Sequence, residues 1–129
     1  MPAPPEPPEY VLVVDDEDDI RESMMEYLEA HGFLALGAPD GKRALELLAD
    51  PTKRPCVVVL DFMMPIMDAR GFRREQLRTA EIADIPVVLI SAYTNLTETA
   101  AELGIDEYFI KPIDPVCFLQ VIRAHCRAS

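Results

Sequence analysis

The chain has no apolar run approaching the roughly 20 residues that cross a bilayer, and its N-terminus lacks the pattern of a signal peptide. No membrane association is therefore expected. Basic residues are scarce: 12 Lys and Arg stand against 23 Asp and Glu, for a formal charge of −11. Nucleic acid and anionic membranes both need clustered cations, so neither is an expected partner, whereas a metal cation or a basic protein surface suits this charge. Cysteine is sparse too. Cys56, Cys117 and Cys126 form no CxxC pair and leave an odd count, which points to reduced, buried thiols in a cytoplasmic protein. No GxGxxG follows the first apolar strand, which argues against a dinucleotide-binding domain.

What the chain does contain is enough apolar material for one core. Half of its 129 residues are hydrophobic, sufficient for a single domain without metal or disulfide staples. Residues 2–9 hold five prolines and two glutamates, a composition for extended, solvated backbone. The expected organisation is a disordered tail over 1–9 and a folded domain over 10–129.

Tyr10 to Val14 reads as a short β-branched strand ending in Asp15-Asp16-Glu17-Asp18-Asp19. Asp18 and Asp19 suit a helix's first turn, where free N–H groups and the dipole favour anions. Asp15 and Asp16 sit at the strand end itself, where adjacent like charges are costly unless a cation offsets them. Ile20, Met24, Tyr27 and Leu28 recur at helical spacing up to His31, and Gly32 stops the helix. Phe33 to Gly37 is a weak strand, and a second helix follows Asp40-Gly41 through Ala44, Leu45, Leu47 and Leu48.

The stretch from Cys56 to Pro65 drives Val57-Val58-Val59-Leu60 into Asp61, then Phe62-Met63-Met64. Such a run reads as a strand covered on both faces, and Pro65 ends the regular structure. A loop to Ala69 leads into a helix ending near Ala80, whose Arg70, Arg73, Arg74 and Arg78 form an expected solvated face. Ile85 to Ile90 is a strand ending at Ser91. A helix from Asn95 to Leu103 stops at Gly104, and Tyr108 to Ile110 is a strand ending in Lys111-Pro112. Asp114 caps a last helix with Pro115 in its first position. His31 and His125 are expected as surface or helix-end residues.

Strand and helix alternate five times, which predicts an α/β fold: a doubly wound, five-stranded parallel sheet in the order 2-1-3-4-5. Asp15, Asp16, Asp61, Ser91 and Lys111 then converge on one sheet edge. Each alone has a bland explanation as a cap or a solubilising group; together they make a site. Carboxylates from two strands suit Mg²⁺, which takes one or two of them and keeps several waters. Lys111 supplies a compact positive charge and Ser91 a hydroxyl, both matched to phosphate oxygens. A carboxylate can itself accept a phosphoryl group, so this reads as an aspartyl-phosphate site with Asp61 as acceptor.

Val13-Val14-Asp15-Asp16-Glu17, Leu60 to Asp68, Ile90-Ser91-Ala92 and Tyr108-Phe109-Ile110-Lys111-Pro112 together resemble the receiver domain of bacterial two-component response regulators, with its flavodoxin- or CheY-like fold. The resemblance spans Tyr10 to the end. It implies that Asp16 ligates Mg²⁺ directly, Asp15 through water, and Asp61 both ligates it and takes the phosphoryl group from a sensor histidine kinase or phosphotransfer protein. The Met63 backbone carbonyl is an implied further ligand. Ser91, Lys111 and the Ala92 amide would hold the phosphoryl oxygens, Tyr108 would turn inward as Ser91 moves, and the Lys111-Pro112 bond would be cis. The implied output is a switch in binding to a downstream effector protein. The chain would act as an enzyme only in assisting its own phosphorylation and dephosphorylation.

Two departures from the family pattern stand out. Ala69 follows Met67-Asp68 where the family has Gly, so a requirement for positive φ there would mean strain or a reshaped loop. The interval from Ser91 to Gly104 is short, which affects the fourth helix. Met63 and Tyr93 offer no carboxylate or amide to orient water, so slow self-dephosphorylation is expected. An aspartyl-nucleophile phosphatase would want Asp at position 63. A receiver-like interaction module that never takes phosphate is the main alternative. With no output domain after the last helix, a stand-alone regulator and a fragment of a longer protein are both consistent.

Overall fold

In a computed structural model of the protein, the described residues are 9–92 and 95–127. Five parallel strands form one sheet: β1 (Tyr10–Val14), β2 (Leu34–Ala38), β3 (Val57–Asp61), β4 (Val87–Ser91) and β5 (Glu107–Ile110), in the order β2-β1-β3-β4-β5. The helices are α1 (Asp18–Ala30), α2 (Gly41–Leu48), α3 (Ala69–Arg78), α4 (Leu96–Glu102) and α5 (Pro115–His125). None of them is long and apolar enough to cross a membrane.

The three central strands are buried along their whole length, which is why they read as unbroken aliphatic runs. Successive side chains divide between two cores. Leu12, Val14, Val58, Leu60 and Leu89 meet α2, α3 and α4 through Ala44, Leu48, Phe72 and Leu96. Val11, Val13, Val57, Val59, Val88 and Ile90 meet α1 and α5 through Leu28, Phe118, Leu119 and Ile122. At one sheet edge, β2 alternates buried with exposed residues, as a half-covered strand should.

Carboxylates set three helix starts. Asp40 accepts from the Arg43 N–H at 2.9 Å, Asp68 from Gly71 at 3.0 Å, and Asp114 from Val116 at 2.9 Å. Gly32 and Gly104, at φ 90° and 68°, let the chain leave α1 and α4.

Some expectations change. β4 begins at Val87, because Ile85 closes a turn onto Ile82 and Pro86 has no N–H for a ladder. Gln76, fully buried, holds that turn by donating to the Ile82 and Ile85 carbonyls at 3.0 and 2.9 Å. The arginines of α3 do not all face solvent: Arg73 donates to the Leu103 and Gly104 carbonyls at 2.9 and 3.1 Å, satisfying the end of α4. α4 is itself only seven residues long.

The cysteines correct the sequence expectation most. Cys56 and Cys126 form a disulfide with Cα atoms 5.5 Å apart, and Cys117 is free and exposed. The two bonded residues lie 70 positions apart, and only the docking of α5 on the sheet brings them together.

Candidate functional site

Strand register builds the site. Val14 pairs with Leu60, Asp61 with Ile90, and Ser91 with Ile110, so Asp15, Asp61, Ser91 and Lys111 all emerge at the carboxyl edge of the sheet. Asp15 is fully buried and Asp61 is 4% exposed, while Asp16, one step along the chain, is exposed. One carboxylate oxygen from each of the three lies within 4.8 Å of the others.

Two neighbours fix Asp15. Its Oδ1 accepts from the Glu17 N–H at 2.9 Å, and its Oδ2 is 3.4 Å from the Lys111 Nζ. The same Nζ is 3.9 Å from Asp61 Oδ2. The Lys111 N–H donates to the Ser91 carbonyl at 2.8 Å, which fixes the residue at the sheet edge, and the Lys111-Pro112 bond is cis, as expected. Arg21 is a cation that the sequence reading missed: its guanidinium donates to the Asp15 carbonyl at 2.8 Å and pairs with Asp18 at 2.7 Å. Its place three residues after Asp18 on α1 was the available signal. Gly37 leaves the space across which Arg21 and Met25 lie, since a Cβ there would meet Met25 Sδ at 2.8 Å.

The electrostatics of Asp61 follow from this crowding. Burial raises its carboxyl to about 7, and the charges of Asp15 and Asp16 add to the rise; Lys111 and the Met63 N–H oppose it. Three carboxylates, two of them buried, thus face one ammonium. That donor set fits a divalent cation, which would offset the excess negative charge with hard-oxygen ligands.

The loop after β3 carries its one positive φ among the described non-glycine residues at a position other than Ala69. Ala69 is the buried first residue of α3 and carries no positive φ; Ile66 does, at 68°. The Met67 N–H donates to the Pro65 carbonyl at 2.7 Å, closing a tight turn around Ile66. The Met67 carbonyl in turn accepts from the Gly41 N–H at 3.0 Å. Ile66 is 80% exposed, and the Met63 side chain is also exposed. Ser91 is buried at the end of β4, with Ala92 exposed beside it. Tyr108 is half-buried, its hydroxyl 2.7 Å from the Thr97 Oγ1 of α4. Tyr93 lies outside the described residues. His31 ends α1, and His125 ends α5 paired with Glu107. Beside Lys111, a mainly apolar groove of about 600 Å³ runs along Ile20, Met24, Pro112 and Ile113.

Known proteins align with this arrangement. Residues 11–123 match the model of the response regulator receiver domain. The chain is 38% identical over 124 residues to the response regulator MprA of Mycolicibacterium vanbaalenii, covering 95% of this chain and 52% of that protein. It spans about half the length of the curated relatives it matches. A response regulator receiver protein from Pseudomonas putida superposes with a TM-score of 0.83 at 26% identity, covering 92% of this chain and 98% of that one. The response regulator TrrA of Thermotoga maritima, solved in complex with Mg²⁺-BeF, gives 0.78 at 26% identity, covering 90% and 97%. Since the family match runs from Val11 to Arg123 and takes in every strand end described above, the chain belongs to the response regulator receiver domain family.

Proposed function

We propose that the chain is a phosphoryl-accepting switch, with Asp61 as acceptor and a sensor histidine kinase or phosphotransfer protein as donor. The observation that carries this is the Asp61 carboxylate, buried at a strand end between Asp15, Asp16 and the Lys111 ammonium. An Asp61 oxygen forms the new bond to phosphorus as the bond to the donor nitrogen breaks, and the donor imidazole recovers a proton. Asp16, Asp61 and the Met63 carbonyl would hold Mg²⁺ directly, and Asp15 through water. When bound, Mg²⁺ supplies neutralising charge to the carboxylates and phosphoryl oxygens. Its presence beside BeF in TrrA supports this assignment.

Lys111, the Ser91 hydroxyl and the Ala92 N–H would hold the phosphoryl oxygens. Drawing Lys111 and Ser91 toward a dianion biases a two-state equilibrium, and Tyr108 carries the change to α4 by exchanging its Thr97 contact for an inward position. The readout is altered binding of a downstream effector protein. The groove beside Lys111 offers the donor protein an apolar seat next to the acceptor. We place this activity in the cytoplasm.

Intact mass after incubation with acetyl phosphate tests the assignment. Wild type should gain one phosphoryl group with Mg²⁺ and none with EDTA, and Asp61→Ala should gain none. Because Met63 orients no water, the group should decay slowly, and Met63→Glu should speed the decay. A folded, Mg²⁺-binding wild type that gains nothing would instead mark a phosphate-independent interaction module.

A further inference from the structure

The Cys56–Cys126 pair lies at the end of β3 remote from Asp61. β3 spans five residues, so the two ends are separated by about 16 Å of extended chain. Cys56 precedes the strand and is partly exposed, whereas Cys126 follows α5 and is 5% exposed. The Cα separation of 5.5 Å falls in the range of about 4.4–6.8 Å that a disulfide spans without backbone movement.

The surroundings suit the thiol state as well as the bonded one. The Cys56 Sγ is 3.1 Å from the Tyr10 carbonyl, an acceptor for an S–H donor. Cys126 has extended backbone, and its N–H donates to the Ile122 carbonyl at 2.8 Å, a backbone tie that remains when the covalent link is open. β3 is buried among β1 and β4, and α5 is anchored by Phe118, Leu119 and Ile122, all within one core. Opening the bond therefore leaves the fold in place and frees only the last turn of α5. Where low-molecular-weight thiols keep cysteines reduced, disulfides that do form are characteristically transient or redox-sensing.

We propose that Cys56 and Cys126 are a reversible thiol–disulfide exchange site, whose substrate is a small disulfide of the glutathione class and whose closure clasps the end of α5 to the sheet. The partly exposed Cys56 thiolate attacks one sulfur of the small disulfide, forming a mixed disulfide and releasing one small thiolate. The Cys126 thiolate then displaces the second, forming the Cys56–Cys126 bond. The two protein protons leave with the two released thiols: the cysteines are oxidised and the small disulfide is reduced.

Thiol counting by alkylation on the folded full-length chain tests this. The fully reduced protein should carry three alkylatable thiols. After glutathione disulfide it should carry one, assigned to Cys117 by peptide mapping, with the mass lower by two hydrogens, and glutathione in excess should restore three. Amide exchange over residues 122–127 should be at least about tenfold slower in the closed form, and Cys126→Ser should abolish that difference. Cys117→Ser should leave both behaviours intact, a control that does not perturb the pair. Three thiols persisting in glutathione disulfide, a bond that involves Cys117, or equal exchange in the two forms would each overturn the proposal.

Discussion

Asp61 shows what a single side chain meets when burial and like charge act together. Its carboxyl titrates at about 7 in the folded chain against an ordinary 3.8, so the folded state holds this proton more tightly than the unfolded state does. Its contribution to stability is fully present below about pH 4 and is lost as pH rises through 7. Asp61→Asn should therefore raise the melting temperature at pH 8 by about 4 °C or more, with little change at pH 4. Thermal melts at the two pH values without added metal check this, and an equal shift at both would contradict it. Adding Mg²⁺ at pH 8 should stabilise the wild type and leave the variant nearly unmoved. The place of Asp61 was legible because an apolar run ends abruptly in Asp; the strength of its perturbation was not, since it depends on Asp15 and Lys111 arriving from other strands.

At the scale of elements, the loop between β3 and α3 is held in two places. The Met63 N–H donates to the Asp61 carboxylate, and the Met67 carbonyl accepts from Gly41. A Cβ on Gly41 would stand 2.8 Å from that carbonyl oxygen, a backbone atom that can yield only if the loop moves. One on Gly71 would come closest to the Met67 Cγ, at 3.0 Å, a side chain able to rotate, with Asp68 Oδ1 at an ordinary 3.7 Å. Gly41→Ala should thus displace the loop that carries the Met63 carbonyl and weaken Mg²⁺ binding by about tenfold, while Gly71→Ala has a smaller effect. Calorimetric Mg²⁺ titration of both variants decides it. The positive φ of Ile66 adds strain on the order of 1–3 kcal/mol to the same loop. The sequence pointed to this loop through Ala69, conditional on a positive φ there; the positive φ falls on Ile66 instead, which carries no local signal for it. The starts of α2 and α5 were easier, because Asp40-Gly41 and Asp114-Pro115 announce themselves locally.

For the whole molecule, the sheet order was readable because alternation and handedness leave few topologies for five strands. Long-range side-chain ties were not. Arg73 satisfies α4 from α3, and Gln76 holds the turn before β4, yet both look like ordinary helix-surface residues in one dimension. Cys56 and Cys126 have no local signal at all across 70 intervening positions. Linking them closes a loop worth about 4 kcal/mol of unfolded-chain entropy. Urea unfolding should show a loss of that order on reduction, with the same loss in Cys56→Ser and no further change when reductant is added to that variant.

β3 places a carboxylate at one end and a sulfur at the other of a strand only five residues long. If the proposed phosphoryl acceptance at Asp61 and the proposed thiol exchange at Cys56 both operate, the folded chain has two bits and four distinguishable masses. A partner reading α5 alone would register the sulfur bit, and one reading the carboxyl edge the phosphorus bit. A surface whose binding needed both ends altered would then make this small domain an AND gate written in two chemistries.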